Sequence, residues 1–150
     1  MDLTGEERIA APRQAVWDAL NDMGTLQASI PGCEHLERIS ETEIRAALKV
    51  SLGIVKVRFH GLLELSNMRA PESYTISGHG EGSIAGFAHG VTDVRLDEDG
   101  ADTILSYAIR GDAGGKLAQL GTKLLGSAAR RIADRFFANI AAAASRAAAE

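Results

Sequence analysis

The chain has 150 residues, a net charge of −4 and one cysteine. That length suits a single domain spanning residues 1–150, whose core is large enough to need no disulfide staple, and Cys33 alone closes no internal bridge. The charged opening MDLTGEERIAAP lacks the apolar stretch of a signal peptide, and no run reaches the ~18 apolar residues of a membrane span, so a soluble cytoplasmic protein is expected.

The charge is unevenly placed. Residues 1–114 hold 10 Lys and Arg against 18 Asp and Glu, whereas residues 115–150 hold six against two. An acidic body argues against nucleic-acid binding, which wants a broad basic surface. The basic tail either bridges to that body or docks onto an anionic surface or acidic partner.

In chain order, residues 2–10 read as a short strand. Pro12 opens a helix, RQAVWDALN, with Val16, Trp17 and Leu20 at helical spacing. A second short helix, about DMGTLQASI, stops at Pro31-Gly32. CEHLERI is a weak strand. In TEIRAALKVSL and VKVRFHGLLEL apolar and polar residues alternate cleanly, the mark of antiparallel strands with one wet face. SYTISGHGEG, AHGVTDVRL and DTILSYAIRG continue a meander joined by polar turns. One helix is expected from about 115 to 148, with Leu117, Gly121, Leu124, Leu125, Ala128 and Ile132 on its apolar side and a fraying, alanine-rich end.

The fold class that follows is α+β: a curved seven-stranded antiparallel sheet wrapped around a long C-terminal helix, with two short helices between strands 1 and 2. Alternation turns Gly78, Gly80 and Gly82 of one strand and Gly86, Ala88 and Gly90 of the next inward, toward a helix carrying Gly121 and Ala128. Small groups facing small groups imply a cavity, because folded interiors otherwise pack densely. The expected ligand-binding set is Leu52, Phe59, Tyr74, Ile76, Phe87, Tyr107, Leu117, Leu120, Gly121 and Leu124. No Ser/His/Asp set, HExxH or strand-to-helix GxGxxG occurs, and His60, His79, Glu64, Asp93 and Arg95 fall on the outward face. The site is therefore expected to hold an apolar molecule without a catalytic residue, metal or cofactor. At one end of the meander the tips are apolar, with Ile54 and Ile84 exposed there. Beside them Lys116, Lys123 and Arg130, seven residues apart, form a basic stripe. This end is the expected portal and the docking face for a membrane or partner.

The β-α-α-β6-α order, the opening APRQAVWDALND, the turn IPGCEHLE and the closing GGKLAQLGTKLLGSAARRIADRFF resemble the carbon monoxide dehydrogenase G-subunit family, within the START/Bet v 1-like helix-grip superfamily. The resemblance spans nearly the whole chain. It implies an accessory role beside a molybdenum-containing CO dehydrogenase or related hydroxylase, aiding membrane attachment and electron delivery to the quinone pool, with no redox centre of its own. Members often carry a C-terminal membrane-anchoring extension; this chain stops at an alanine-rich helix, so only peripheral contact at the inner face of the membrane is expected. The favoured ligand is a quinone or lipid. The competing reading is a small polyketide-cyclase or dehydratase-like enzyme, since the fold hosts such activities.

Overall fold

A computed structural model describes residues 1–83 and 86–150. The chain runs β1 (Asp2–Ile9), α1 (Arg13–Asn21), α2 (Met23–Ser29), β2 (Cys33–Arg38), β3 (Glu43–Leu52), β4 (Val55–Arg69), β5 (Ser73–Gly82), β6 (Gly86–Asp99) and β7 (Asp102–Gly115). A 3-10 turn (Lys116–Leu120) then leads into α3 (Thr122–Ala149). The strands form one sheet in the order β1-β7-β6-β5-β4-β3-β2, every neighbour antiparallel. Six strands follow one another as a meander, which needs only short turns. β1 is the exception: it closes onto β7, the strand farthest from it in sequence.

Period-2 patterning decides which face α3 covers. Ile44, Ala46, Val50 and Leu52 of β3 and Val57 and Leu65 of β4 are buried, while their alternates face water. The apolar stripe of α1, Val16, Trp17 and Leu20, closes the same side of the sheet. The core that results has two parts. The larger joins α1, α2 and the C-terminal half of α3 to the sheet and holds Trp17, Tyr74, Tyr107, Phe136 and Phe137. There Trp17 meets Tyr74 edge-on at 5.3 Å, and Phe137 of α3 stacks on Tyr107 at 4.2 Å. The smaller is built on Val50, Leu52, Val57, Leu117 and Ala128. Three hydrogen bonds to backbone carbonyls fix α3 at separate points: Asn139 Nδ2 donates to Ser29 at 3.0 Å, an Arg131 guanidinium nitrogen to Ser51 at 2.6 Å and one of Arg130 to Thr4 at 3.1 Å.

The closing helix departs from expectation at both ends. It is not continuous from residue 115: Gly115 has φ 68° and Gly121 φ 91° with ψ 150°, and the 3-10 turn lies between them. Such dihedrals bring a Cβ into conflict with the backbone, so Gly121 ends the 3-10 turn and precedes α3; it is not an interior helical residue. Its carbonyl accepts the first α3 bond, from Leu125 N–H at 3.1 Å. The alanine-rich tail stays helical to Ala149, because Ile140 and Ala144 are completely buried in the larger core. β7 continues past the expected strand DTILSYAIRG: GDAGG is its end and pairs with Gly86–Gly90.

These two glycines should respond oppositely to the same change. Gly121→Ala lowers stability by about 1–3 kcal/mol, the cost of a side chain in a glycine-only region. Gly126→Ala sits inside α3, and its added methyl lies 4.0 Å from Met1 Sδ, an ordinary contact. It gains about 0.5–1 kcal/mol of helix propensity. Thermal melts should move down for the first and up for the second by about 2–4 °C per kcal/mol.

Candidate functional site

Between the sheet and the N-terminal half of α3 lies a cavity of about 360 Å³. Its floor comes from two cross-strand rows. In one, Ala46, Gly61, Gly80, Ala88 and Ala113 sit side by side on β3 to β7; in the other, Leu63, Gly78, Gly90 and Gly111 do so on β4 to β7. Strand spacing makes the longer row about 19 Å wide. A floor of glycine and alanine is nearly bare backbone, so the sheet stops short of the helix. The helix adds little from above, presenting Ala128 and Ala129 beside Thr122 and Leu125. Larger side chains stand at the margins: Leu48, Leu52, Phe59, Leu63, Leu117 and Ile132. Gly61 has a further duty, since a Cβ there would run into the carbonyl of His79 on β5. It is the one floor glycine fixed by a close backbone approach across to β5.

The expected ligand set is split by the fold. Leu52, Phe59 and Leu117 line the cavity. Leu120 and Leu124 pack half-buried onto the smaller core without reaching the lining. Gly121 faces open space, but as the strained residue between the 3-10 turn and α3 it is outside the lining too. Tyr74, Ile76 and Tyr107 do point inward, but at the aromatic end, where they are core. Burial pushes the Tyr74 phenol well above its ordinary pKa, and its hydroxyl has no partner among the described residues. Burial also raises Tyr107, helped by the Asp134 carboxylate and opposed by the Arg130 guanidinium.

Phe87 lies on the other side of the sheet. It is exposed and its ring runs parallel to those of His79 and His89, 6.0 Å from each. Strand alternation requires this, since its neighbours Gly86 and Ala88 face inward. The same outward face carries a wider, shallow groove of about 760 Å³, flanked by Glu6, Asp93 and Arg95. That groove has charged flanks and includes no residue of α3, so the smaller, more apolar cavity is the better candidate for a ligand.

At the expected docking end, Ile54 is fully exposed in the β3–β4 turn with Val55 beside it, and Gly53 adjoins Leu124 of α3. Ile84 lies outside the described residues. Lys116 and Lys123 are exposed and make no ion pair among the described residues. The stripe does not extend to Arg130. The break at Gly121 puts Lys116 on a separate element, and Arg130 is engaged at the sheet edge. One guanidinium nitrogen donates to the Thr4 carbonyl at 3.1 Å and to the Tyr107 hydroxyl at 3.2 Å, and it lies 3.7 Å from Asp134. Sequence reasoning also missed Met1, Ala118 and Thr122 in the lining. Nothing in local patterning marks them, because the β1–β7 register and the Gly121 break place them there.

A family model described as the G subunit of carbon monoxide dehydrogenase (CoxG) matches residues 5–145. The chain belongs to this family. No curated protein matches it. Among solved structures, a conserved protein from Geobacillus kaustophilus is 27% identical with a TM-score of 0.90, covering 97% of this chain and 96% of that one. The Zhui aromatase/cyclase from Streptomyces sp. R1128 superposes with a TM-score of 0.67 at 17% identity, covering 97% and 94%. Ara h 8.0201 does so with a TM-score of 0.68 at 11% identity, covering 96% and 97%. The CoxG chain thus has the helix-grip fold of the Bet v 1-like proteins, a curved antiparallel sheet closed by a long C-terminal helix. No helix among the described residues is long and apolar enough to cross a membrane.

The floor glycines are separable by experiment. Gly80→Ala adds a methyl no nearer than 3.4 Å to any neighbour, so it shrinks the cavity while leaving the melting temperature unchanged or higher. Gly61→Ala forces β4 and β5 apart and costs about 1–3 kcal/mol, as overpacking does. Melts of the two variants, compared in parallel, check this.

Proposed function

We propose that this CoxG chain is a non-catalytic holder of an apolar small molecule, a quinone or a lipid, acting as an accessory to a molybdenum-containing carbon monoxide dehydrogenase or related hydroxylase. The observation that carries the reading is the cavity: about 360 Å³, floored by glycine and alanine and rimmed by leucine, isoleucine and phenylalanine. Its volume falls in the range of small-molecule sites. A planar ring can lie against this bare backbone without meeting a side chain, which favours a quinone head over a bulky branched group. The family description supplies the partner class.

The tip formed by Ile54, Val55, Lys56, Lys116 and Lys123 is the proposed contact with an anionic membrane face or the partner enzyme. An exposed isoleucine at a turn favours insertion, and the lysines favour negative charge.

The competing reading, a small cyclase-like enzyme, has in its favour a fold shared with an aromatase/cyclase. Fold does not carry activity by itself. Such an enzyme needs an acid or base aimed into the cavity; His79, His89 and Asp112 touch it only from the outward row of the sheet.

Two measurements test the proposal. Organic extraction of the purified protein followed by mass spectrometry should recover a quinone or lipid, lost in Gly80→Leu, and added 1,4-naphthoquinone should bind wild type and be excluded by that variant. An empty extract together with no naphthoquinone binding would overturn it. In co-sedimentation, vesicles containing phosphatidylglycerol should retain the protein at low salt and release it as the ionic strength passes about 0.15 M, where screening shortens to ~8 Å. Ile54→Glu with Lys123→Glu should abolish retention; retention unchanged by salt and by both substitutions would remove the tip from the mechanism.

A further inference from the structure

The cavity has an unfinished side. β1 pairs with β7 only as far as Asp2 opposite Arg110, while β7 runs on to Gly115. Among the described residues, β7 from residue 112 onward has β6 on one side and no strand on the other. Facing that free edge across the cavity are the 3-10 turn and the first two turns of α3. The residues bordering the slot are small: Gly111, Ala113, Ala118, Thr122 and Ala129 all line the cavity.

One large side chain crosses the gap. The backbone of Met1 is fixed to β7, its ammonium donating to the Gly111 carbonyl at 3.2 Å and its carbonyl accepting from Gly111 N–H at 2.9 Å. The side chain then reaches toward α3. Its Cε lies 3.2 Å from where a methyl on Gly111 would be, and its Sδ 4.0 Å from where one on Gly126 would be. Two glycines, one on each wall, leave room for the thioether between them. Met1 is 46% exposed and also lines the cavity, so one flank faces water and the other the interior.

We infer that the Met1 side chain is the gate of the cavity and that the slot between β7 and α3 is the route by which an apolar ligand enters. The inference rests on the ligand-holding reading above. An unbranched thioether with three rotatable bonds changes rotamer at little cost, and it is apolar enough to slide over a hydrocarbon guest. The main chain need not move, because the two Gly111 bonds hold the backbone while the side chain swings.

Substituted-cysteine labelling tests the gate without any ligand, so its result is independent of whether a quinone or lipid binds. With Cys33→Ser removing the native thiol, Ala128→Cys places one thiol in the cavity, and methyl methanethiosulfonate labelling is followed by mass. Met1→Gly, released by cleaving an N-terminal extension so that the ammonium and carbonyl contacts persist, should speed labelling by about tenfold or more at unchanged melting temperature, as a lowered local opening cost implies. Adding Gly126→Leu to Met1→Gly should refill the slot and restore slow labelling. Labelling of Met1→Gly within about twofold of its Met1 parent would overturn the proposal, since a local barrier to opening would then be absent. So would acceleration by Leu52→Ala, at the end of β3, with none from Met1→Gly, which would put the entrance at the β3–β4 tip. Failure of naphthoquinone binding with Met1-dependent labelling intact would refute the ligand class and leave the gate standing.

Discussion

The contact on which the site depends lies outside it. Phe137 stacks on Tyr107 at 4.2 Å, and Tyr107 lies across Gly5 of β1, where any side chain would collide with its ring. The stack thus joins α3 to β7 and needs a glycine on the neighbouring strand to exist. With Ile140 and Ala144 fully buried beyond it, the C-terminal half of α3 is pinned to the sheet and to α1 and α2. A helix held firmly at one end projects its other end over whatever the sheet offers. Here the sheet offers glycine.

This asymmetry makes a cavity out of what would otherwise be an ordinary sheet–helix interface. Where aromatic residues fill the space, the protein has a dense core; where Gly61, Gly78, Gly80, Gly90 and Gly111 face Ala128 and Ala129, no rotamer can close the gap. Collapse is resisted from the rim. Leu117 is 1% exposed and packs against Gly86, while Arg131 ties α3 to the end of β3. The small core around Val50, Leu52 and Val57 thereby acts as a spacer, keeping the roof at the height the larger core sets.

Charge is spent in two ways along the same helix. Arg130 and Arg131 are absorbed into fixing α3 against strand ends, through Thr4, Tyr107 and Ser51. Lys116 and Lys123, on either side of the Gly121 break, have no such duty among the described residues and remain at the surface. The excess positive charge of residues 115–150 is therefore partly structural: Arg130 and Arg131 are engaged, while Lys116 and Lys123 are exposed beside the tip.

The sequence by itself determined the element order, the antiparallel meander and the inward row of small residues, because strand alternation is a local property that a period of two makes legible. Leu52, Phe59 and Leu117 could be placed at the cavity on that ground. Tertiary structure decided what local pattern could not. Tyr74, Ile76 and Tyr107 share the inward face but fall at the aromatic end, since position along a strand becomes core or cavity only through what the helix sets opposite it. Gly121 reads as helical on a wheel, yet its positive φ shows only when the chain must turn from β7 into α3. Phe87 faces outward by the same alternation that made its glycine neighbours face inward. Met1 reaches the cavity because β1 pairs with β7, a contact between residues 110 positions apart that no local periodicity encodes.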